Sequence, residues 1–325
     1  MVSASTPLVA IEEHWMPPEL AAALAGRDDS LVFNERGDTA QRLADLDAGR
    51  IATMDSQGID VSVIALTPPG TQALPAHDAV RSSQAANDAA AAAVRRNPTR
   101  LRTLSTLPMS APEAVTAELE RAADLGHVGT MVYGRSGDLL LDDPVYEPFL
   151  AAAERLRQPV FIHPQLPSTA QRDAAYRGFD ATTDLALATF GWGWHVDAGL
   201  AALRLILRGT FDRHPDLQIV LGHWGELLPF WLDRADSLSR IAGLERTVSD
   251  YLRTNVHLTA SGMLNPALLR HIQTVTTPDR LIFSTDYPFQ QPTRTEISTF
   301  LDLFPDDERT QFTTRNATSL FGLDV

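Results

Sequence analysis

The chain contains no cysteine. Disulfides and thiolate metal sites are therefore excluded, and any bound metal must be held by imidazole and carboxylate groups. No uninterrupted apolar run approaches the ~20 residues that a membrane helix requires. Residues 1–7 carry no basic segment followed by an apolar stretch of the kind that directs export. No glycine-rich phosphate loop follows the first apolar run, which counts against a doubly wound nucleotide-binding sheet. Positive charge is also scarce: 27 Lys and Arg stand against 41 Asp and Glu, a formal charge of -14. A surface of that sign argues against nucleic acid or an anionic membrane as the main partner. The expectation is a soluble, cytoplasmic protein acting on a small molecule.

What is present is apolar material, at 44% of 325 residues. That is enough to bury a substantial core. Short apolar runs fall at residues 8–11, 61–66, 101–107, 128–132, 160–162, 217–221, 255–258 and 280–283. They are continuous rather than alternating, as strands buried on both faces are. Between them lie helical patterns. Residues 40–57 read as one helix ended by Gly58, and residues 78–96 are Ala-rich. Ser110-Ala111-Pro112-Glu113 has the form of a capping box. Residues 198–211 place Leu200, Leu203 and Leu207 on one stripe, and residues 226–242 continue the pattern. Eight strand–helix units predict an α/β fold, a closed (β/α)8 TIM barrel over residues 1–325 as one domain. Long insertions follow strands one and five. The second, residues 164–194, holds Tyr176, Phe179, Phe190, Trp192 and Trp194 among glycines. Such an aromatic stretch suits a lid or a subunit contact better than a linker.

In such a barrel the site is built at the C-terminal strand ends, so polar residues just after apolar runs carry the information. Strand one ends in Glu12-Glu13-His14, where Glu12 and His14 point the same way and Glu13 the other. Strand five ends in His163-Pro164, strand six in Gly222-His223-Trp224-Gly225-Glu226, and strand eight in Ser284-Thr285-Asp286-Tyr287-Pro288. Taken singly, each has a bland reading: a solvated acidic turn, a core histidine, a helix N-terminus, an N-cap. Together they predict strand tips converging on one divalent ion, with Zn or Mn suited to a Glu/His/His/Asp set. Glu226 is expected to begin a helix and to orient His223. His195 and His257 have possible pocket roles, whereas His77, His127, His214 and His271 are assigned to the surface or to caps. Arg234 is expected two turns beyond Glu226 on the same helix. It could clamp a substrate carboxylate, across a subunit boundary, or form a surface ion pair.

Glu-x-His, His-Pro, Gly-His-x-Gly-Glu and Ser-Thr-Asp-Tyr-Pro after strands one, five, six and eight resemble the amidohydrolase superfamily. The likeness is closer to its metal-dependent decarboxylase branch. Met54-Asp55-x-x-Gly58-Ile59, Leu203-Arg204-Leu205 and Gly209-x-Phe211-Asp212-x-His214-Pro215 are similar to that branch too. The resemblance implies that Glu12, His14, His163 and Asp286 bind one divalent ion. It implies that His223, assisted by Glu226, takes part in proton transfer; Asp286 and the His223–Glu226 pair are both candidates for the acid that protonates the substrate carbon. It also implies that Arg234 contacts the substrate carboxylate. Resorcylate-type enzymes carry Val-Asn-Gly after strand four; this chain has Val132-Tyr133-Gly134. Tyr133 is therefore a candidate substrate contact that shifts preference away from hydroxybenzoates. The implied activity is non-oxidative decarboxylation of an aromatic or enol-type carboxylic acid, by a homodimer or homotetramer. The alternatives are a metal-dependent lactone or amide hydrolase and a non-catalytic barrel with a structural metal.

Overall fold

The computed structural model describes residues 7–27 and 31–325. Most of the N-terminal segment read above, and three residues of the first insertion, lie outside the described residues. Eight strands pair in parallel and in chain order: β1 (Val9–Trp15), β2 (Val61–Leu66), β3 (Leu101–Thr106), β4 (Gly129–Tyr133), β5 (Val160–His163), β6 (Ile219–Leu221), β7 (Val256–Thr259) and β8 (Leu281–Ile282). The seam between β8 and β1 closes through Ile11 N–H donating to Phe283 O and His14 N–H donating to Tyr287 O. Glu13 also pairs with Tyr287 in parallel across it. The result is the (β/α)8 barrel expected from the rhythm of apolar runs.

Both strand faces are buried because both have apolar neighbours. Val9, Ile11, Val63, Ala65, Met131, Phe161, Val220 and Ile282 fill the interior, joined by Ala317 and Phe321 of the helix Asn316–Phe321. The alternating partners Ala10, Ile64, Val132, Ile162 and Leu221 pack outward against the helices. This alternation is the period of two that a strand imposes.

Several expected helices differ in detail. Residues 40–57 form two helices, Thr39–Ala44 and Ala48–Gln57. Between them Asp45 accepts a 2.8 Å bond from Asp47 N–H, the kind of local bond that competes with helix. The first insertion is not wholly irregular: it contains the helix Pro18–Leu24 and the 3-10 turn Val32–Glu35. No capping box opens the helix Pro112–Asp124, because the Ser110 hydroxyl donates instead to Leu74 O. The second insertion forms helices Thr169–Ala175 and Ala181–Ala188 and runs into the helix Gly193–Leu207. That last helix buries Ala198, Ala201, Ala202, Leu205 and Ile206 against the barrel, while Leu200 on the expected stripe is 48% exposed. Small alanines let the helix approach closely, and Leu200 is left on its outer side.

Candidate active site

Strict alternation along β1 would carry Val9 and Ile11 inward and then Glu13. A register shift between Ala10 and Glu13 resets the phase. Ile11 fills the interior, and Glu12 and His14 reach the cavity above it. A bulge re-aims side chains in this way and is frequent beside active sites. Glu13 turns aside and accepts from Thr285 N–H at 2.9 Å and from the Thr285 hydroxyl at 2.6 Å. Burial pushes it up to about 8, against those bonds and the nearby Arg50.

Glu12, His14, His163 and Asp286 are all buried, and one ligand atom from each lies within 4.8 Å of the others. His14 Nε2 is 3.1 Å from Asp286 Oδ1, and His163 Nε2 is 3.7 Å from Glu12 Oε1. Metal bonds of roughly 2.0–2.2 Å bring neighbouring ligand atoms to about this separation. Among the described residues, Glu12 Oε1 and both His14 ring nitrogens have no hydrogen-bond partner. Buried polar atoms are seldom left so, unless an ion or water completes them. His163 Nδ1 lies 2.7 Å from Pro164 O, so it carries the ring proton and leaves Nε2 as a lone pair. Burial, helped by His14 and His223, holds His163 down to about 3, in the neutral form that coordinates. Burial pushes Glu12 up, and the facing imidazoles only partly offset it. Asp286 is held down to about 2, because the facing His14 and His223 imidazoles outweigh its burial. Two carboxylates and two imidazoles buried side by side fit a single divalent ion.

The hydroxyl groups that fix this set were not singled out in the sequence. Glu12 Oε2 accepts from Thr259 Oγ1 at 2.9 Å, from Ser284 Oγ at 3.3 Å and from Ser261 Oγ. One oxygen is thus pinned by residues at the ends of β7 and β8, and the other is left toward the ion. Outer bonds of this kind orient ligands. Strand-end logic applied to hydroxyls as well as to charged groups would have found them.

His223 and Glu226 meet by a route that the sequence reading missed. Residues 223–227 have φ of 48°, 58°, 93°, 54° and 67°, so no right-handed helix begins at Glu226. A left-handed residue other than glycine costs roughly 1–2 kcal/mol, and four of these five are not glycine. The surroundings hold the turn in place. His223 N–H donates to Ser261 Oγ at 2.7 Å, and buried Trp224 donates from Nε1 to Met263 O at 2.8 Å. A Cβ on Gly222 would stand 2.9 Å from Glu12 Oε1 and from Ser261 Oγ, so any other residue there would have to displace them. The turn sets His223 Nδ1 2.8 Å from Glu226 Oε1 and His223 Nε2 3.7 Å from Asp286 Oδ2. Although burial works against it, Glu226 keeps His223 well above the usual histidine range. Burial opposes the shift of Glu226 as well, but His223 and His195 hold its carboxyl down to about 2.

A cavity of about 610 Å³ opens over these groups. His163, His223, Glu226 and Asp286 line it together with Pro68, Phe190, Trp192, Trp194, Met263 and Phe289. The aromatic insertion after β5 therefore walls the site. His195 faces the cavity too and bonds Glu226. Two candidates lie elsewhere. Tyr133 is buried behind the wall, its ring 6.0 Å from that of His163 and its hydroxyl directed to Leu66 O. Arg234 is exposed on a separate helix, Leu232–Ala242, after the left-handed turn has broken the expected continuity from Glu226, and it does not line the cavity. His257 bonds Gln218 and Arg280, which precede β6 and β8, so it sits at the opposite end of the barrel. His127, expected on the surface or at a cap, is buried against Asn87 O because its helix end packs inward.

The Amidohydrolase family profile matches residues 13–323. The chain is 34% identical over 330 residues to the γ-resorcylate decarboxylase of Rhizobium radiobacter, covering 97% of this chain and 98% of that protein. It is similar to the crystal structure of 5-carboxyvanillate decarboxylase from Sphingomonas paucimobilis, with a TM-score of 0.90 and 32% identity over 98% of this chain and 100% of that one. It is also similar to a dihydroxybenzoic acid decarboxylase from Polaromonas sp. JS666, solved with bound manganese and the inhibitor 2-nitroresorcinol. There the TM-score is 0.85 and the identity 30%, over 98% of this chain and 97% of that one.

Proposed function

The chain belongs to the amidohydrolase family, and we propose on that premise that it is a metal-dependent, non-oxidative decarboxylase of an aromatic or enol-type carboxylic acid, a carbon–carbon lyase built as one domain. The observation that carries the reading is one juxtaposition. A buried Glu12/His14/His163/Asp286 set lies 3.7 Å from an imidazole–carboxylate pair at the floor of an aromatic-walled cavity. Glu12, His14, His163 and Asp286 would hold one divalent ion. When bound, that ion supplies a Lewis acid that fixes the substrate's oxygens and draws off charge. Manganese is favoured by the manganese-bound relative, and zinc suits the same donors.

The protein's own groups do the rest. His223 and Asp286 face the same space, so they act as a unit that delivers one proton to the ring carbon bearing the carboxylate. Glu226 holds His223 by its other nitrogen and so keeps Nε2 turned to the cavity. Once that carbon is protonated, its bond to the carboxylate breaks. The electron pair returns to the ring, and CO2 leaves. Phe190, Trp192 and Trp194 exclude water from the reacting groups and present flat apolar faces to a planar ring. Tyr133 lies behind the wall and does not select against a ring hydroxyl. Ortho-hydroxybenzoates are therefore the first substrates to test.

A homodimer or homotetramer is part of this reading. Trp231 is 70% exposed and Ile241 76%, on the segment that carries Arg234. In a second copy this face would bring Arg234 to a neighbour's substrate carboxylate.

The test combines elemental analysis of purified protein with CO2 release from a panel of hydroxybenzoates. One ion per chain, gas evolution, loss with a chelator and recovery with manganese are expected. A ring-opened product without gas would overturn the reading.

A further inference from the structure

Glu226 has a second partner that the reaction scheme leaves unused. His195, on the helix Gly193–Leu207, places Nδ1 2.6 Å from Glu226 Oε2, while Oε1 takes His223 Nδ1 at 2.8 Å. The carboxylate is buried and held at both oxygens. The far nitrogen of His195 is engaged as well, with Trp194 Nε1 2.9 Å from Nε2. An indole N–H can only donate. His195 Nε2 therefore accepts, and the ring proton stands on Nδ1, where it donates to Glu226. Phe190 O lies 3.1 Å from the same Nε2. A protonated Nε2 would donate there, and the indole would lose its acceptor. The His195 and His223 rings meet edge-on with centroids 4.5 Å apart, both against the one carboxylate.

A single hydrogen bond does not fix a carboxylate, because its terminal torsion is broad. A second donor on the other oxygen does. We propose that His195 is a positioning residue for the reaction. Donating from Nδ1, it locks the plane of Glu226, so that Oε1 stays on His223 Nδ1 and His223 Nε2 stays directed at Asp286 and the cavity. Trp194 sets the tautomer that makes this possible. The consequence for turnover rests on the decarboxylase reading; the hydrogen-bond pattern does not. His195, His223 and Glu226 are also close enough to hold a cation of their own. A cation there would replace both hydrogen bonds.

Two variants test the proposal in the manganese-loaded enzyme. His195→Phe keeps a ring and removes the donor. His195→Asn keeps an N–H near the position of Nδ1. Because misplacing a reacting group can cost on the order of 100-fold, H195F is expected to lower kcat at least ~10-fold. KM should stay within about threefold and the metal at one ion per chain, with H195N recovering most of the rate. Unchanged kcat in H195F, H195N as slow as H195F, loss of metal together with rate, or a second ion per wild-type chain would each overturn the proposal. The ring-nitrogen NMR spectrum of zinc-loaded protein is an independent readout, should H195F fail to fold. Protonated Nδ1 with bare Nε2 on His195 supports the assignment, and protonated Nε2 overturns it. A wild type that released no CO2 would sink the decarboxylase reading alone, since this spectrum needs no substrate.

Discussion

His223 Nδ1 and Glu226 Oε1 stand 2.8 Å apart across a turn in which every residue has positive φ. In a right-handed helix the two side chains would lie over successive turns of one face. Here the left-handed path folds the carboxylate back under the imidazole. It also frees His223 Nε2 to look across the cavity at Asp286.

That division of labour separates two variants. His223→Ala removes the proposed proton-handling group, which stands beside the Glu/His/His/Asp set without being one of its four members. It is expected to keep one ion per chain and to lose at least ~100-fold in kcat. Asp286→Ala removes a member of the set itself, so metal content and turnover should both collapse. Elemental analysis beside a CO2-release assay reads both. Full activity in His223→Ala would remove it from the mechanism.

Gly222 leaves no free space for a side chain beside Glu12 and Ser261. An added methyl would press on Glu12 Oε1 and Ser261 Oγ at 2.9 Å and on Glu226 Oε1 at 3.1 Å. Gly222→Ala is therefore expected to weaken manganese binding by roughly 10–100-fold, as loss of an orienting contact does. The barrel should still fold, since the pressure falls on side chains at its mouth. Calorimetric titration of the metal-free protein measures the change, and native affinity would show that the strand tip yields.

Tyr133 stands where the decarboxylases that the sequence resembles tend to carry asparagine, yet its hydroxyl points to Leu66 O. Tyr133→Phe should leave KM for the preferred acid within about twofold, because it removes no interaction with substrate. A large rise in KM would mean that the side chain swings into the cavity on binding.

Away from the site, Glu147 joins two helical segments. Arg213 binds both of its oxygens, at 2.8 and 3.0 Å, and His214 Nε2 lies at 2.9 Å. The Arg213 bonds, with help from His214 and against burial, hold Glu147 down to about 2. A carboxylate depressed in the folded state stabilises fully above its ordinary value near 4.5, and the benefit fades as pH falls through about 2. The side chain is 38% exposed, so screening keeps the effect under about 1 kcal/mol. Urea titrations of Glu147→Gln should show a small deficit near pH 7 that shrinks from about pH 4.5 toward pH 3. A deficit that grew with acid would contradict this pairing.

The barrel was legible because each apolar run of three to seven residues is too short for a helix and too continuous for a half-exposed strand. The Glu/His/His/Asp set was legible because its members end such runs. What the sequence hid was long-range or local-geometric. The phase of β1 depends on a bulge that no residue type announces. The helix expected from Glu226 fails because tertiary bonds from Ser261 and Met263 override a helix-compatible pattern. The Ser110 cap was taken by a carbonyl 36 positions earlier in the chain. His195 was legible only as a histidine with a possible pocket role, just after the aromatic insertion. Its role needs the helix Gly193–Leu207 laid across the mouth of the barrel.

The seam between β1 and β8 has a temporal consequence. Glu13 and Thr285, bonded across it, are 272 positions apart. During synthesis Glu12 and His14 are made near the start and wait through almost the whole chain before Asp286 exists. No nascent chain shorter than 286 residues offers all four donors, so capture of the proposed ion would wait on ring closure. An arrested chain lacking its last forty residues, and with them Asp286, should carry no tightly held metal at all.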